Sequence, residues 1–467
     1  MTRPPLVMIV ALLAALSAGW WLSHPARSLT GVVVITMDTT RADRLTPYGL
    51  MDASMPALER LAHEGVIFDR ALSVAPLTLP AHTSLFTGLY PSAHGVGDNS
   101  AAALAGGHAT LAEVLRERGF RTGAFVGSVV LNADRGLAQG FETYRGVQRA
   151  EERHERTLQR RADAVITDAM AWLDSAGQSR FFLWAHLYDP HRPYDPPEPY
   201  RSRYADQYVA EIAFADAQIG RLLEYLRRRG LFDRTVVVVA GDHGESLGEH
   251  GERDHGIFVY ESVLRVPLIV RVPGQAHARV GSVVRLVDVM PTVLDFHGIP
   301  ARSVDGISLR HLITGAATDL DLEAYAESIY PLRLGWSPLR TIRERRYKFI
   351  DAPRPELYDL LTDPFEERNL YEERRSVAEG MSRRLQTVVA AGGRARSSLP
   401  DTPDGGLAET KQRIWALGYV GSPYKDALRD RVSLPDPKDC IHLTSLIPVL
   451  AEERQSGSRT ARATACP

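Results

Sequence analysis

The sequence predicts an α/β sandwich, in which helices cover both faces of a sheet of mostly parallel strands. Three apolar runs indicate buried strands, namely GVVVITMD at 31–38, FFLWAHL at 181–187 and TVVVVA at 235–240. Between them lie stretches with apolar residues at helical spacing, such as 204–229. Strands that alternate with helices along one chain are typical of the α/β class.

Length and composition set the next limits. The chain has 467 residues, of which 44% are hydrophobic, enough for one large domain and a smaller one. The net charge of −2 argues against a general attraction to nucleic acid. The two cysteines, Cys440 and Cys466, both lie near the C-terminus, so we predict no disulfide framework.

The N-terminal segment, residues 1–28, predicts export. An uncharged apolar run covers 6–22, which indicates either a signal peptide or a single membrane anchor followed by a short linker. Ala15 and Ser17 offer a cleavage site, whereas Trp20 and Trp21 resemble the aromatic belt of an anchor. Both alternatives place the rest of the chain in the periplasm or outside the cytoplasm, with one N-terminal helix as a possible membrane anchor.

The other elements follow in chain order. Further strands are predicted at 66–73, 122–126 and 265–273. Further helices are predicted at 56–65, 110–119, 151–174 and 204–229. From about residue 323 the pattern changes to antiparallel strands. We therefore divide the chain into a catalytic domain at 29–322, an antiparallel subdomain at 323–390, and a flexible tail at 391–467 with a short helix near 443–453.

One stretch, PLTLPAHTSLFTGLYP at 76–91, places a hydroxyl at the start of a helix. Thr78 comes two residues before Pro80, and proline is favoured in the first turn of a helix. The N-terminal end of a helix stabilises negative charge on a nearby oxygen. Thr78 is therefore either a helix cap, which is the commoner role of threonine, or a nucleophile.

Two predicted strands end in acidic or imidazole side chains. Asp38 follows the first strand, and Asp242 and His243 follow the strand at 235–240. Sites in α/β sheets form beyond the carboxyl ends of strands, so these side chains should meet. Two carboxylates brought together repel each other unless a cation lies between them. A divalent metal would remove this conflict, and it would activate a threonine hydroxyl as a nucleophile.

At this point the chain resembles the sulfatase family of the alkaline-phosphatase superfamily, over roughly 31–370. The strings that carry the resemblance are VVVITMDTTRADRL, PLTLPAHTSLFTGLYPSAHGV, HLYDPHRPY, GDHGESLGEHG, YESVLRVPLIV and YKFI with PELYDLLTDPFEERNL. The resemblance implies an alkaline-phosphatase-like α/β/α sandwich with a smaller antiparallel C-terminal subdomain. It also implies hydrolysis or transfer at a sulfate or phosphate ester.

The resemblance assigns roles to single residues. It implies Thr78 as the nucleophile and His191 or His255 as the proton donor to the leaving group, while His82 stands where sulfatases have a catalytic arginine. The metal ligands would be Asp38, Thr78, Asp242 and His243. The substrate-binding residues that we expect are Arg41, His94, Asn99 and His186.

The departures from the family are as informative as the match. Sulfatases carry a cysteine or serine that is oxidised to formylglycine, and threonine cannot form that aldehyde. A sulfate ester of Thr78 would lack the elimination route of the aldehyde, whereas a phosphate ester stays open to attack by water. The metal-site residues are similar to those of phosphoethanolamine transferases, which also use threonine. One divalent ion is expected, with Zn²⁺ or Mn²⁺ favoured and Ca²⁺ as the alternative.

Three functions remain open at this stage. The first is a metal-dependent hydrolase of sulfate or phosphate esters that acts through Thr78. The second is a phosphotransferase that passes a phospho-group to an alcohol, and the third is a catalytically inactive binding protein with the same fold. The expected partner is a small-molecule, glycan or lipid ester, and no nucleic acid is expected.

Overall fold

The computed structural model describes residues 29–99, 103–147, 159–397 and 434–446. The predicted N-terminal signal or anchor and most of the predicted tail lie outside these residues. Among the described residues, no helix has the length and the apolar character that crossing a membrane requires.

Within the described part of the chain, nine strands form one mixed sheet. Their order is β4-β3-β5-β1-β6-β8-β2-β7, and β9 lies beside β2. The strands are β1 Gly31–Met37, β2 Val66–Leu72, β3 Arg121–Val126, β4 Thr143–Arg145, β5 Phe181–Leu187, β6 Thr235–Gly241, β7 Arg265–Val266, β8 Leu268–Arg271 and β9 Ala278–Arg285.

The three predicted apolar strands are neighbours at the centre of this sheet. β1 runs parallel to both β5 and β6, and Met37 lies opposite Leu187 on one side and Gly241 on the other. The residues that follow these three positions therefore leave the same edge of the sheet side by side. This register brings Asp38 and Asp242 together, as the strand ends predicted.

Helices cover both faces of the sheet. Val32 and Val34 of β1 pack into one hydrophobic cluster, and Val33 and Ile35 pack into another on the opposite face. The helices span Pro56–His63, Thr78–Thr87, Pro91–His94, Leu111–Glu117, Ala162–Ala176, Tyr200–Arg203, Gln207–Arg228, Glu261–Leu264, Val289–Phe296, Arg310–Ile313, Arg375–Ser397 and Pro437–Cys440. The predicted α/β/α sandwich is thus confirmed.

A second, smaller sheet is antiparallel throughout. It contains β10 Ala324–Ser328, β11 Leu339–Arg343, β12 Tyr347–Asp351 and β13 Glu356–Asp359, in that order. Ala378 and Met381 of the helix Arg375–Ser397 share a hydrophobic cluster with Phe349 of this sheet. The separate antiparallel subdomain of the sequence analysis is present.

The structure corrects some predicted elements. The predicted helix at 151–174 is observed as Ala162–Ala176, and 148–158 lies outside the described residues. The run at 265–273 forms two short strands separated by Pro267, which has no N–H to donate to a neighbouring strand.

Two parts of the predicted tail lie within the described residues, namely 391–397 and 434–446. The helix Arg375–Ser397 extends beyond residue 391, and residues 434–446 dock on the small sheet. In this segment the Pro435 carbonyl accepts a hydrogen bond from Ser337 N at 2.8 Å. Lys438 Nζ lies 2.5 Å from Glu356 Oε1. Cys440 in the same segment is disulfide-bonded, although the cysteine count predicted no disulfide framework.

Candidate active site

Asp38 and Asp242 form a buried pair of carboxylates at the carboxyl edge of the main sheet. Both residues are 0% exposed. Asp242 Oδ1 accepts backbone hydrogen bonds from Thr39 N at 3.1 Å and from His243 N at 2.8 Å. The Oδ2 atoms of both aspartates have no hydrogen-bond partner. Two buried carboxylate oxygens without partners are costly unless a cation binds them.

His243 presents a lone pair to these carboxylates. Its Nδ1 lies 2.9 Å from the carbonyl oxygen of Gly244. Because a carbonyl only accepts, Nδ1 carries the proton and Nε2 is unprotonated in the neutral ring. Nε2 lies 3.6 Å from Asp38 Oδ1 and 3.5 Å from Asp242 Oδ2. A lone pair facing two carboxylates is repulsive without a positive charge between them, so this donor set fits a metal ion.

The directions of the pKa shifts of Asp242, Asp38 and His243 also fit a metal ion at this position. Burial, followed by the charge of Asp38, raises the pKa of Asp242 well above its usual value. Burial also opposes the ionisation of Asp38, but the nearby His186 and the other imidazoles outweigh it and lower the pKa of Asp38. Burial lowers the pKa of His243, which keeps the ring neutral. Asp38, Asp242 and His243 have ligand atoms within 4.8 Å of one another.

Thr78 is the first residue of the helix Thr78–Thr87, and its side chain points towards Asp38 and His243. The N-cap residue is Leu77, and no side chain caps this helix. Thr78 Oγ1 lies 3.4 Å from Asp38 Oδ1 and 3.3 Å from His243 Nε2. The alternative that Thr78 is a helix cap is therefore wrong, because its hydroxyl faces the candidate metal ligands.

Comparison with known proteins identifies the family. The sequence profile described as Sulfatase matches residues 30–299. The chain belongs to the sulfatase family. A second profile, for the C-terminal part of N-sulphoglucosamine sulphohydrolase, matches residues 248–391 and so includes the small antiparallel sheet.

Several sulfatases are similar to the chain in sequence. An ulvan-active sulfatase of Formosa agariphila is 26% identical over 392 residues, which cover 73% of this chain and 76% of the relative. An N-acetylglucosamine-6-O-sulfatase of Bacteroides thetaiotaomicron is 34% identical over 36% of this chain and 32% of its own length. A choline-sulfatase of Rhizobium meliloti is 33% identical over 46% of this chain and 41% of its own length. The last two alignments thus span less than half of each relative.

Solved structures share the fold. A phosphonate monoester hydrolase of Agrobacterium radiobacter aligns with a TM-score of 0.68 and 22% identity, over 78% of this chain and 96% of the other. A phosphonate monoester hydrolase of Silicibacter pomeroyi aligns with a TM-score of 0.66 and 21% identity, over 81% of this chain and 98% of the other. At this identity the likeness concerns the fold, which is that of the alkaline-phosphatase-like proteins.

Thr39, the residue after Asp38, has its side chain turned away from the candidate metal ligands. Its hydroxyl donates to the carbonyl oxygen of Pro190 at 2.8 Å, and its own carbonyl accepts from Tyr208 at 2.6 Å. Its φ of 48° lies in the left-handed region, which is rare for a β-branched residue. Such strain is held in place by its surroundings and is common at functional sites.

Asn99 lies at the start of the helix Thr78–Thr87. Its Oδ1 accepts a hydrogen bond from Leu79 N at 2.8 Å. The residue is 0% exposed, and its Nδ2 has no hydrogen-bond partner. An unused donor beside the positive end of a helix is suited to an anionic oxygen.

His255 lies beside His243, and His191 lies beside His255; the first is buried and the second is half-buried. The rings of His243 and His255 lie 4.5 Å apart, and those of His255 and His191 lie 5.1 Å apart. His255 Nδ1 lies 3.1 Å from Glu245 Oε1 and 2.9 Å from Asp254 Oδ1. Both histidines thus lie on the His243 side of the candidate metal ligands.

Glu245 is a functional candidate that the sequence analysis missed. It is 0% exposed, and burial raises the pKa of its carboxyl, an effect that the charge of His255 opposes. Its Oε2 accepts a hydrogen bond from the Tyr194 hydroxyl at 3.2 Å. The signal was present in the string GDHGE, which ends in this residue.

The structure corrects two expected substrate-binding residues. Arg41 is 4% exposed, and its guanidinium forms ion pairs with Asp43 at 2.9 Å and with Glu249 at 2.6 Å. His94 Nδ1 accepts from Val96 N at 3.1 Å, and its Nε2 lies 2.9 Å from Ser84 Oγ. The ion pairs neutralise the charge of Arg41, and the hydrogen bonds engage both ring nitrogens of His94. Neither side chain is therefore assigned to substrate binding.

His186 and His82 lie beneath the site instead of lining it. Both are 0% exposed. His186 Nδ1 faces the backbone N–H of Gly127 at 3.4 Å, and its Nε2 lies 3.4 Å from Asp38 Oδ2. His82 contacts the main chain of Thr78, and burial lowers its pKa to about 3. The expected substrate-binding role of His186 and the expected catalytic role of His82 are therefore revised to contacts with site residues.

Proposed function

We propose that the chain is a metal-dependent hydrolase of phosphate-type or sulfate esters in which Thr78 is the nucleophile. The observation that carries the proposal is the position of Thr78 Oγ1, 3.4 Å from Asp38 Oδ1 and 3.3 Å from His243 Nε2, at the start of a helix. Membership of the sulfatase family supports the reaction class.

The residues that would hold the metal are Asp38, Asp242, His243 and Thr78. A divalent ion supplies positive charge that neutralises the two carboxylates and favours the alkoxide form of a nearby hydroxyl. One imidazole with only two carboxylates suits Zn²⁺ or Mn²⁺ better than Ca²⁺, which prefers more oxygen ligands.

The protein groups then act in a defined order. Thr78 Oγ attacks the phosphorus or sulfur in line, and the bond to the leaving alcohol breaks as the new ester bond forms. The N-terminal end of the helix and Asn99 Nδ2 hold the non-bridging oxygens as their charge grows. Water then attacks the phosphorus of the Thr78 ester, which releases the inorganic acid and restores the hydroxyl.

The leaving alcohol takes its proton from an imidazole. Glu245 and Asp254 accept from Nδ1–H of His255, orient the ring and stabilise its imidazolium form, so Nε2–H gives its proton to the leaving alcohol and Nε2 takes one back from the attacking water. His191, whose ring meets the edge of His255, is the second candidate for this role.

Phosphate-type esters suit this nucleophile better than sulfate esters. A phosphate ester of threonine can be cleaved by water attack at phosphorus, whereas a sulfate ester lacks the elimination route that the formylglycine of other sulfatases provides. The proposed substrates are therefore small-molecule or glycan esters of phosphorus acids, with sulfate esters turned over more slowly.

The decisive experiment compares four aryl esters with the purified protein. Aryl phosphate, phosphodiester, phosphonate monoester and sulfate are assayed with Zn²⁺, Mn²⁺ and Ca²⁺ in parallel. We expect a phosphorus ester to be fastest, and Thr78→Ala to lower kcat by at least about 10⁴-fold. Thr78→Ser keeps a hydroxyl and is the matched control, with part of the activity retained. Full activity of Thr78→Ala would exclude Thr78 as the nucleophile.

A second measurement tests the metal site without an assay. Elemental analysis of the purified protein should show one divalent metal ion per chain, and Asp242→Ala should lose it. Asp189→Ala, which removes a buried carboxylate that caps the helix beginning at Ala162, should retain the ion. Equal metal content in all three proteins would contradict the assigned ligands.

A further inference from the structure

A buried chain of hydrogen bonds runs beneath Thr78. Trp184 Nε1 on β5 donates to Thr36 Oγ1 on β1 at 3.0 Å. Thr36 Oγ1 lies 2.9 Å from His82 Nε2, and His82 Nδ1 lies 2.7 Å from the carbonyl oxygen of Thr78. Trp184, Thr36 and His82 are each 0% exposed, so water does not compete for these contacts.

The chemistry of the two end groups gives the chain a single direction. An indole nitrogen only donates and a carbonyl oxygen only accepts. Nδ1 of His82 must therefore carry the proton that reaches Thr78, and Nε2 must accept the hydroxyl proton of Thr36. The Thr36 hydroxyl donates once and accepts once. The tautomer of His82 is thus set by its neighbours.

His82 has one competing role, as a metal ligand. Its Nδ1 lies 3.6 Å from Asp242 Oδ2, and ligand atoms of His82, His186 and Asp242 fall within 4.8 Å of one another. Ligation through Nδ1 requires a lone pair at that nitrogen. The short contact with a carbonyl oxygen requires a proton there instead, and Nε2 is used by Thr36. The geometry therefore argues against a second metal at this position.

The ring of His82 is also fixed by packing. Its centroid lies 5.4 Å from that of Trp184 and 4.9 Å from that of His186, with Phe86 on a further side at 6.5 Å. A neutral ring held on several sides cannot turn its Nδ1 away from Thr78 without moving the core. The packing therefore holds Nδ1 in contact with the first turn of the helix.

We propose that His82 is a positioning residue, which holds the first turn of the helix through the Thr78 carbonyl and so keeps the Thr78 hydroxyl directed at the metal ligands. The sulfatase motif has an arginine at this position, which is replaced here by a neutral ring that contacts the main chain. The inference rests on the proposed role of Thr78 as the nucleophile. Loss of this contact should lower kcat about 10- to 100-fold, because small displacements of a reacting group are costly, and should leave KM and metal affinity unchanged.

The first test measures the tautomer and needs no substrate. In the full chain labelled with ¹⁵N-histidine, the His82 signals, identified by their loss in His82→Asn, should show a protonated Nδ1 and an unprotonated Nε2. Thr36→Val should shift the Nε2 resonance, because its hydrogen-bond donor is gone. Addition of Zn²⁺ should leave Nδ1 protonated. A proton on Nε2, or deprotonation of Nδ1 by Zn²⁺, would overturn the proposal and, in the second case, indicate a metal ligand.

The second test uses two amides that each replace one ring nitrogen. Asparagine places its amide nitrogen near the position of Nδ1, and glutamine places it near that of Nε2. We expect His82→Asn to retain most of the activity and His82→Gln to lose about 10- to 100-fold in kcat, with unchanged KM and Zn²⁺ content. Equal kcat values for the two variants would contradict the proposal.

The two tests separate this inference from the proposed function. If none of the four aryl esters is turned over, the function fails, and the tautomer and Zn²⁺ measurements still decide the role of His82. If Thr78→Ala abolishes turnover but the tautomer is the opposite one, the nucleophile stands and the positioning role falls. Melting temperatures of both His82 variants show whether each has folded.

Discussion

At the scale of single residues, the side chains of the site are held by contacts on the side away from the substrate. Asp242 Oδ1 is fixed by two backbone N–H groups, and its Oδ2 has no hydrogen-bond partner. Asn99 follows the same rule, because Oδ1 anchors the side chain to Leu79 and Nδ2 is left over. In both side chains one polar atom is hydrogen-bonded to the main chain and the other has no partner, which is the pattern we expect of a group that binds a ligand.

Asn99 gives the prediction at this scale. Asn99→Asp keeps the acceptor for Leu79 N but replaces the free donor with a charged oxygen that repels an anionic ester. We expect kcat/KM to fall about 10²- to 10³-fold, as for the loss of one oxyanion donor. The measurement is steady-state turnover of the best aryl ester.

Its control is Asn99→Ala, which loses the donor and also the acceptor for Leu79. This variant should lose activity to a similar extent and should melt at a lower temperature, since a helix-start contact is missing. Unchanged turnover in Asn99→Asp would remove Asn99 from the substrate site.

At the scale of elements, buried acids fix helices to each other. Asp216 in the helix Gln207–Arg228 accepts from Leu58 N at 2.7 Å and from Ala57 N at 3.2 Å, and so caps the helix Pro56–His63 from outside. Asp216 is 1% exposed. Burial raises its pKa from 3.8 to about 7, although both backbone hydrogen bonds oppose the shift.

This shift predicts how stability depends on pH. A carboxyl whose pKa is higher in the fold than in the unfolded chain favours folding at low pH, and this contribution is lost as the pH rises from about 4 to about 7. The loss is at most about 4 kcal/mol, since one pKa unit corresponds to about 1.4 kcal/mol. Asp216→Asn cannot ionise, so its melting temperature should change less between pH 5 and pH 8 than that of the unaltered protein.

The control is Asp206→Asn, at the exposed N-cap of the same helix, where the carboxylate side chain is 47% exposed. Asparagine caps a helix about as well as aspartate, so this variant should change the melting temperature little, and by a similar amount at both pH values. If Asp216→Asn keeps the full pH dependence, the buried carboxyl is not its source.

At the scale of the whole molecule, ion pairs join the small sheet to the main domain and to the site. Arg333, which follows β10, pairs with Asp98 at 2.6 Å, next to Asn99. Lys348 of β12 is 0% exposed and lies 2.8 Å from Glu366 and 3.3 Å from Glu261. Glu261 begins the short helix that leads into β7 of the main sheet. The small sheet therefore supports the loop that carries Asn99.

Lys348 gives the prediction at this scale. Lys348→Met retains the apolar stem but leaves the buried Glu366 carboxylate without its cation, whereas Glu261 keeps its pair with Arg343 at 3.5 Å. We expect the free energy of unfolding to fall by about 3–5 kcal/mol, the usual cost of breaking a buried ion pair by removing one partner. Urea unfolding followed by circular dichroism measures the change.

The matched control is Arg368→Gln, which breaks a surface pair with Glu373 whose side chains are 72% and 56% exposed. Its effect should be at most about 1 kcal/mol, because water screens exposed charges. Similar effects of both variants would show that the Lys348 cluster does not join the two parts of the molecule.

Local patterns were enough to predict the central strands and the residues at their ends. Asp38, Asp242 and His243 follow apolar runs whose strand character needs no knowledge of distant residues, and parallel strands bring such ends together. Thr78 was ambiguous between a cap and a nucleophile in the sequence. The observed helix begins at Thr78 itself, and the contacts with Asp38 and His243 exclude the cap.

The roles of Arg41, His82 and Glu245 were not readable in this way. Arg41 is neutralised by Asp43 and by Glu249, which is 208 residues away in sequence, and His82 is oriented by Thr36 across 46 residues. Residue type and spacing indicate which chemistry a segment can supply. Which atom of a side chain faces the substrate depends on hydrogen-bond partners from other strands, and those are brought together by the packing of the folded chain.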